Sequence, residues 1–233
     1  MEIQDVVKEI KQSFRLMMDG AVAQSMRDKG LNYHLNWGAT LPRLQAKAQE
    51  IKAMFNDSER SAFNVSDDSE RSEFNVSSLM FNLYELSIAL YKENVRECKI
   101  LATMLMPPDE ILPEVVDIWQ EQIPSQEIAE QLAFNLYQHL PFAAEKAYQW
   151  IASDKEYDQL CGFHVLSRLF MNGQEPNERG INEFLDEALC ALQGPFPSVR
   201  KAALQSLQRF AELGILYERL AKSATKSIDL DIF

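Results

Sequence analysis

Asn94-Val95-Arg96-Glu97-Cys98-Lys99-Ile100-Leu101-Ala102 and Ser198-Val199-Arg200-Lys201-Ala202-Ala203-Leu204-Gln205-Ser206 are two copies of one pattern. Each opens with a polar residue suited to cap a helix, continues Val-Arg, and places a small side chain three positions after the valine. The cap satisfies free amide groups at the helix start. The small side chain lets a neighbouring helix approach closely. Weaker copies lie between: Ser125-Gln126-Glu127-Ile128-Ala129 has Ala129 at the small position, and Tyr157-Asp158-Gln159-Leu160-Cys161 has Cys161 there. The steps from Val95 to Gln126, Asp158 and Val199 are 31, 32 and 41 residues. That is the length of one helix pair with its turns, so the pattern predicts stacked pairs in which each unit buries its apolar stripe against the next.

Working outward, the whole chain carries helical period. Helices are predicted at about 2–18, 20–29, 40–55, 79–91, 94–106, 109–121, 125–139, 142–152, 156–171, 179–193, 197–212 and 215–226. Breaks fall at Gly30, Pro107-Pro108, Pro124, Pro141, Gly173 to Pro176 and Gly194 to Pro197. No stretch alternates at period two for long enough to form a sheet. The expected fold class is all-α, an α-solenoid (superhelix) of HEAT-like helix pairs forming a single domain over residues 1–233. One segment stands outside the repeat: Asp57 to Ser66 recurs almost identically as Asp68 to Ser77, a tandem duplication of period 11 at 57–77. Eleven residues are close to three helical turns, so a helix there would put Phe63 and Phe74 on one face.

Charge narrows the partners. The net charge is −12, from 23 basic and 35 acidic residues. Residues 1–55 hold 8 basic and 6 acidic side chains, residues 56–196 hold 9 and 25, and residues 197–226 hold 6 and 2. Attraction for a polyanion must therefore come from the two ends, because the middle repels it. No apolar run reaches the roughly 20 residues of a membrane span, and the N-terminus reads as an amphipathic helix and not a secretory signal. The expected location is cytoplasmic, with no membrane partner. Cys98, Cys161 and Cys190 are far apart in apolar helical context and read as buried free thiols. His34, His139 and His164 have no ligand spacing, and His164, within a helix, reads as a satisfied structural histidine. No phosphate loop, nucleophile elbow or His-Glu-x-x-His is present. No metal or cofactor is expected.

Among residues with candidate roles, Glu130 follows the small Ala129 early in the second helix of a pair, the kind that lines a solenoid's concave surface. Lys99 and Lys201 hold matching places in two repeats and are candidates for a basic row. Arg96 and Arg200 read as bridges between repeats. Trp119 and Trp150 stand at helical spacing from apolar neighbours and read as core. Asn32 to Gly38 reads as a polar, aromatic surface turn.

Leu90 to Ala102, Asn36-Trp37-Gly38-Ala39-Thr40-Leu41-Pro42-Arg43-Leu44, and Val199-Arg200-Lys201-Ala202 together resemble the DNA alkylation repair family of HEAT-like alkylpurine DNA glycosylases. The resemblance covers residues 1–226 apart from 57–77. It implies a curved array whose concave face holds DNA, with two tryptophans, an aspartate and an arginine facing the damaged nucleotide. The aspartate stabilises the cationic sugar and the aromatic faces favour a cationic base. At the matching positions this chain has Gln126 for the first tryptophan, Glu130 for the aspartate, Leu160 for the arginine and Gln205 for the later tryptophan. Only the carboxylate survives. The expected function is that of a DNA alkylation repair-like HEAT-repeat protein, a binding or catalytically degenerate relative. Its groove would take a protein partner or DNA through Lys99, Lys201, Gln126 and Gln205. The alternative is an active glycosylase excising alkylated purines with Glu130 as the catalytic carboxylate.

Overall fold

The computed structural model describes residues 2–31, 33–63, 82–226 and 228, the side chains of 57–63 excepted. Among these residues the chain is all helical, with one isolated parallel bridge between Leu35 and Val95 and no strand. It divides into two compact units, Met1–Leu112 and Pro113–Phe233.

Unit 1 contains α1 (Ile3–Leu16), α2 (Gly20–Asp28), α3 (Leu41–Phe63), α4 (Leu83–Lys92) and α5 (Arg96–Leu105). Val6, Val7, Ile10 and Phe14 form the buried stripe of α1 at spacings of three and four, as an amphipathic helix requires. Helix α4 packs on α1, and α5 packs on both α4 and α3. Every residue of α5 except Met104 is buried, so this is the central helix of the unit. The long connection 29–40 is pinned to it, with the Arg96 N–H donating to Leu35 O at 3.0 Å. Asn94 does not cap α5 as its sequence position suggests; Val95 holds the N-cap position without a side-chain cap, and Leu35 O accepts from the first amide of the helix, that of Arg96. Helix α3 runs on to Phe63, past the predicted end at 55 and into the first duplicated copy. The second copy lies outside the described residues.

Unit 2 contains α6 (Pro113–Glu121), α7 (Gln126–Asn135), a 3-10 turn (Tyr137–His139), α8 (Ala143–Ile151), α9 (Glu156–Met171), α10 (Glu178–Gln193), α11 (Pro197–Ala211) and α12 (Ile215–Lys226). These helices form two layers. In one, α9 packs between α7 and α11; in the other, α10 packs against α8 and α12. Helix α8 joins the layers by lying on α9, and α10 and α12 do so on α11. The predicted start of α6 at 109 moves to Pro113, whose missing N–H and fixed φ suit the first turn of a helix. The repeat's small positions are buried as the spacing predicts: Ala129, Cys161 and Ala202 all lie in the interior, as does Cys98 in unit 1. Ser198 does not cap α11, which begins at Pro197; its hydroxyl donates instead to Glu156 Oε1 at 2.6 Å, tying α11 to the start of α9.

The core of unit 2 is a chain of aromatic rings. Phe170 and Phe184 meet edge-on with centroids 5.0 Å apart, Phe184 meets Phe210 at 5.1 Å, and Phe210 meets Tyr217 at 5.1 Å. Four helices are thereby joined by contacts of the offset or edge-to-face kind that aromatic quadrupoles favour. Trp119 and Trp150 are buried, as read from their spacing. Cys98 and Cys161 are buried and Cys190 is exposed, so the reading of three buried thiols holds for two.

One close backbone approach in unit 2 was not visible in the repeat pattern. It occurs at Gly162, next to Cys161. A Cβ there would lie 2.7 Å from Ile151 Cγ2 and 2.8 Å from Ala147 O, both on α8. Gly162→Ala is expected to lower stability by about 1–3 kcal/mol through overpacking, although alanine is intrinsically the better helix former. A thermal melt of the variant at or above the wild-type midpoint would contradict this reading of the α8–α9 contact.

Candidate functional site

Helices α7, α9 and α11 run as neighbours, and the sequence-predicted residues of unit 2 fall on this layer. On α7, Gln126 is exposed and Glu130 half-buried. They are one turn apart, and the Gln126 amide donates to Glu130 Oε1 at 2.8 Å. One carboxylate oxygen is therefore occupied by a neutral amide. The Ser125 hydroxyl accepts from the Ile128 N–H and caps the helix. On α11, Lys201 and Gln205 are exposed and one turn apart, so they share a face.

Lys99 has different surroundings, in unit 1. It is 8% exposed, donates to Tyr91 O at 2.7 Å, and its ammonium lies 4.2 Å from the centre of the Tyr91 ring. Burial lowers its pKa from the usual lysine value. Its repeat counterpart Lys201 is in water, so equivalent sequence positions have opposite environments. The arginines that precede them also diverge. Arg96 is buried and donates to Ala39 O at 2.8 Å, whereas Arg200 is exposed and donates to Gly194 O at 2.7 Å. In the 33–38 turn, Trp37 packs on Phe14 with centroids 5.8 Å apart, and His34 is exposed.

The residues that sequence reasoning missed are Phe134 and Arg168. Phe134 lies one turn beyond Glu130 on α7. The Arg168 guanidinium carbon sits 4.8 Å from its ring centre, and the His164 imidazole meets the same ring edge-on at 4.9 Å and 63°. Arg168 is one turn after His164 on α9, so both reach one ring. His164 is only 8% exposed, and its buried Nε2 has no hydrogen-bond partner among the described residues. The reading of a satisfied structural histidine thus fails on the atom that matters. Burial lowers the His164 pKa to about 4, with the positive charges of Arg168 and Lys201 adding to the effect. The imidazole is therefore neutral at physiological pH, and both cations lie close enough to act on it. Neither Arg168 nor Lys201 takes part in an ion pair among the described residues, whereas Lys146 pairs with Asp117 and Lys222 with Glu218 in the same unit. Lys155, Arg200, Arg219 and Lys226 likewise form no ion pair among the described residues; what distinguishes Arg168 is its place over the Phe134 ring, in a unit with 10 basic and 18 acidic residues. The only sequence signal for the cluster was the i, i+4 spacing of His164 and Arg168, which says nothing about the ring on the neighbouring helix.

Cys161 lies on the same face of α9. Its thiol donates to Ala129 O at 3.4 Å, and burial raises its pKa above the usual thiol range. It is an inert packing group, as a buried thiol away from cations should be. Among the described residues no group of three or more His, Cys, Asp or Glu is placed to hold a metal ion. No helix among them is long and apolar enough to cross a membrane.

No family profile matches the sequence, and no curated protein matches it. The structure is similar to a solved member of a family described as related to the HEAT-like repeat DNA glycosylases, with affinity for branched DNA structures. The TM-score is 0.72 at 15% sequence identity, and the match covers 94% of this chain and 81% of the other. At that identity the likeness concerns the backbone: this chain has the all-α HEAT-like repeat fold of the glycosylase-related proteins.

Proposed function

We propose that this chain is a DNA-binding protein of the HEAT-like repeat fold that does not excise bases. The α7–α9–α11 layer of unit 2 is its contact surface. The observation that carries the reading is the Arg168 guanidinium held over the Phe134 ring, with the exposed Lys201 on α11, the helix packed against α9. Phosphate contacts supply most of the affinity of DNA-binding proteins, and cations outside any ion pair among the described residues give an acidic chain a local attraction its net charge conceals. The solved relative's affinity for branched DNA supports the same ligand class.

The missing chemistry follows from Glu130. Its carboxylate accepts from the Gln126 amide, and glutamines occupy both positions where the resemblance calls for aromatic faces. Nothing at Gln126 or Gln205 can hold a cationic alkylated base by its π-face.

Fluorescence anisotropy with labelled duplex and branched DNA over a salt series tests both parts. Binding is expected to weaken with a log–log slope of at least about −2, roughly 0.9 for each of two phosphates neutralised. Release of alkylated bases is expected to be absent. Measurable release that Glu130→Gln abolishes would instead establish the glycosylase reading. No binding at low salt would remove DNA as the ligand and leave a protein partner for this face.

A further inference from the structure

Phe134 and Arg168 form a cation–π pair built from residues other than those the glycosylase resemblance singles out. Both are half-exposed, and the guanidinium lies over the ring at 4.8 Å. The ring is held from a second direction by the edge of the buried His164. A guanidinium backed by an aromatic ring is a planar cation of defined orientation, and such planes stack on nucleobases. Lys201 is exposed on α11, the helix packed against α9, and supplies a second positive charge on this layer. His164 stays neutral and adds no charge of its own at physiological pH.

We propose that Phe134, Arg168 and Lys201 form a shelf for one unpaired nucleotide of a DNA strand, the base stacking on the Arg168–Phe134 pair and an adjoining phosphate meeting Lys201. The inference deepens the DNA-binding reading and rests on it. An unpaired base is required because a base inside a duplex has both faces covered by its neighbours and offers only its edges in the grooves. A stacking shelf therefore selects gaps, bulges, strand ends and branch points over continuous duplex. It tolerates any base, since every base has a π-face.

The test uses the full chain and two DNAs of one sequence. One is fully paired; the other leaves a single 2-aminopurine unpaired. Wild type is expected to bind the second about tenfold more tightly, in line with the roughly 1–3 kcal/mol that one base–aromatic stack contributes, and to quench the 2-aminopurine fluorescence. Arg168→Lys keeps the charge and loses the plane, so the preference and the quench should vanish while the salt slope on duplex is unchanged. Phe134→Leu should behave in the same way. Lys201→Gln should lower the salt slope by about 0.9 on both DNAs. If Arg168→Lys retains the wild-type preference and quench, there is no shelf, although the protein binds DNA. If wild type binds neither DNA, the DNA reading falls and the shelf with it. Because Arg168 is half-exposed, its substitution leaves the packed core intact, and a far-ultraviolet spectrum identical to wild type verifies this.

Discussion

Arg96→Met is expected to destabilise unit 1 by about 3–5 kcal/mol, the usual cost of leaving one member of a buried ion pair alone. Arg96 is 1% exposed and Glu97 0% exposed. The Arg96 Nη1 donates to Ala39 O at 2.8 Å and to Glu97 Oε1 at 3.3 Å. The same Oε1 accepts the N–H groups of Trp37 at 3.1 Å and Ala39 at 3.2 Å. Two adjacent side chains of α5 thus satisfy three backbone groups of the 37–39 turn and hold it against the helix. Methionine replaces the stem of arginine with little loss of volume, so the effect isolates the charge and its hydrogen bonds. What remains is a buried carboxylate whose Oε2 already lacks a partner. The double variant Arg96→Met, Glu97→Gln should lose clearly less than the sum of the two single variants, because the second change removes the stranded charge. Urea unfolding followed at Trp37 in unit 1 provides the measurement. Strictly additive losses, or an Arg96→Met loss below about 1 kcal/mol, would show that the pair does not hold the turn.

The second large effect is a dependence on pH located at His164. The pKa of its imidazole in the folded chain is about 4, below the ordinary value of 6.5. The unfolded chain therefore binds a proton in a range where the folded chain does not. The stability this site provides is complete above about pH 6.5 and declines as pH falls toward 4. Over that window the loss approaches about 3 kcal/mol, taking 1.36 kcal/mol for each pKa unit. Burial is the main cause, and the charged groups acting on the ring are Arg168 from its own helix and Lys201 from α11. His164→Gln keeps a polar side chain of similar reach and cannot titrate. Its melting temperature should fall less than that of wild type between pH 6.5 and 4.5, with the two curves running parallel above pH 7. Identical slopes for both proteins in this window would contradict the assignment.

The chain pattern by itself determined that the protein is helical, that its helices are paired, and nearly where each begins. Local rules are enough for those features: period 3.6, prolines at the breaks, and the small residues Cys98, Ala129, Cys161 and Ala202 at intervals of one helix pair. Burial of these four follows from the pattern, because a stacked helix has room for only a small side chain at the point of contact. The helix starts were less secure. Asn94 and Ser198 have the chemistry of caps, but the partners actually used by α5 and by Ser198 are Leu35 O and Glu156 Oε1, both remote in sequence.

Only the tertiary structure decided which charged residues are available. Lys99 and Lys201 occupy one repeat position, yet Lys99 is enclosed against Tyr91 in the most buried helix of unit 1 and Lys201 stands in water on α11. A repeat pattern reports the contact shared by all copies. It cannot report what lies on the far side of each helix, which depends on the neighbouring elements. For the same reason the Phe134–His164–Arg168–Lys201 cluster has no signature in the chain. Its members come from three helices, and packing alone brings a ring from α7 against a buried imidazole and a guanidinium from α9, beside the helix α11 that carries Lys201.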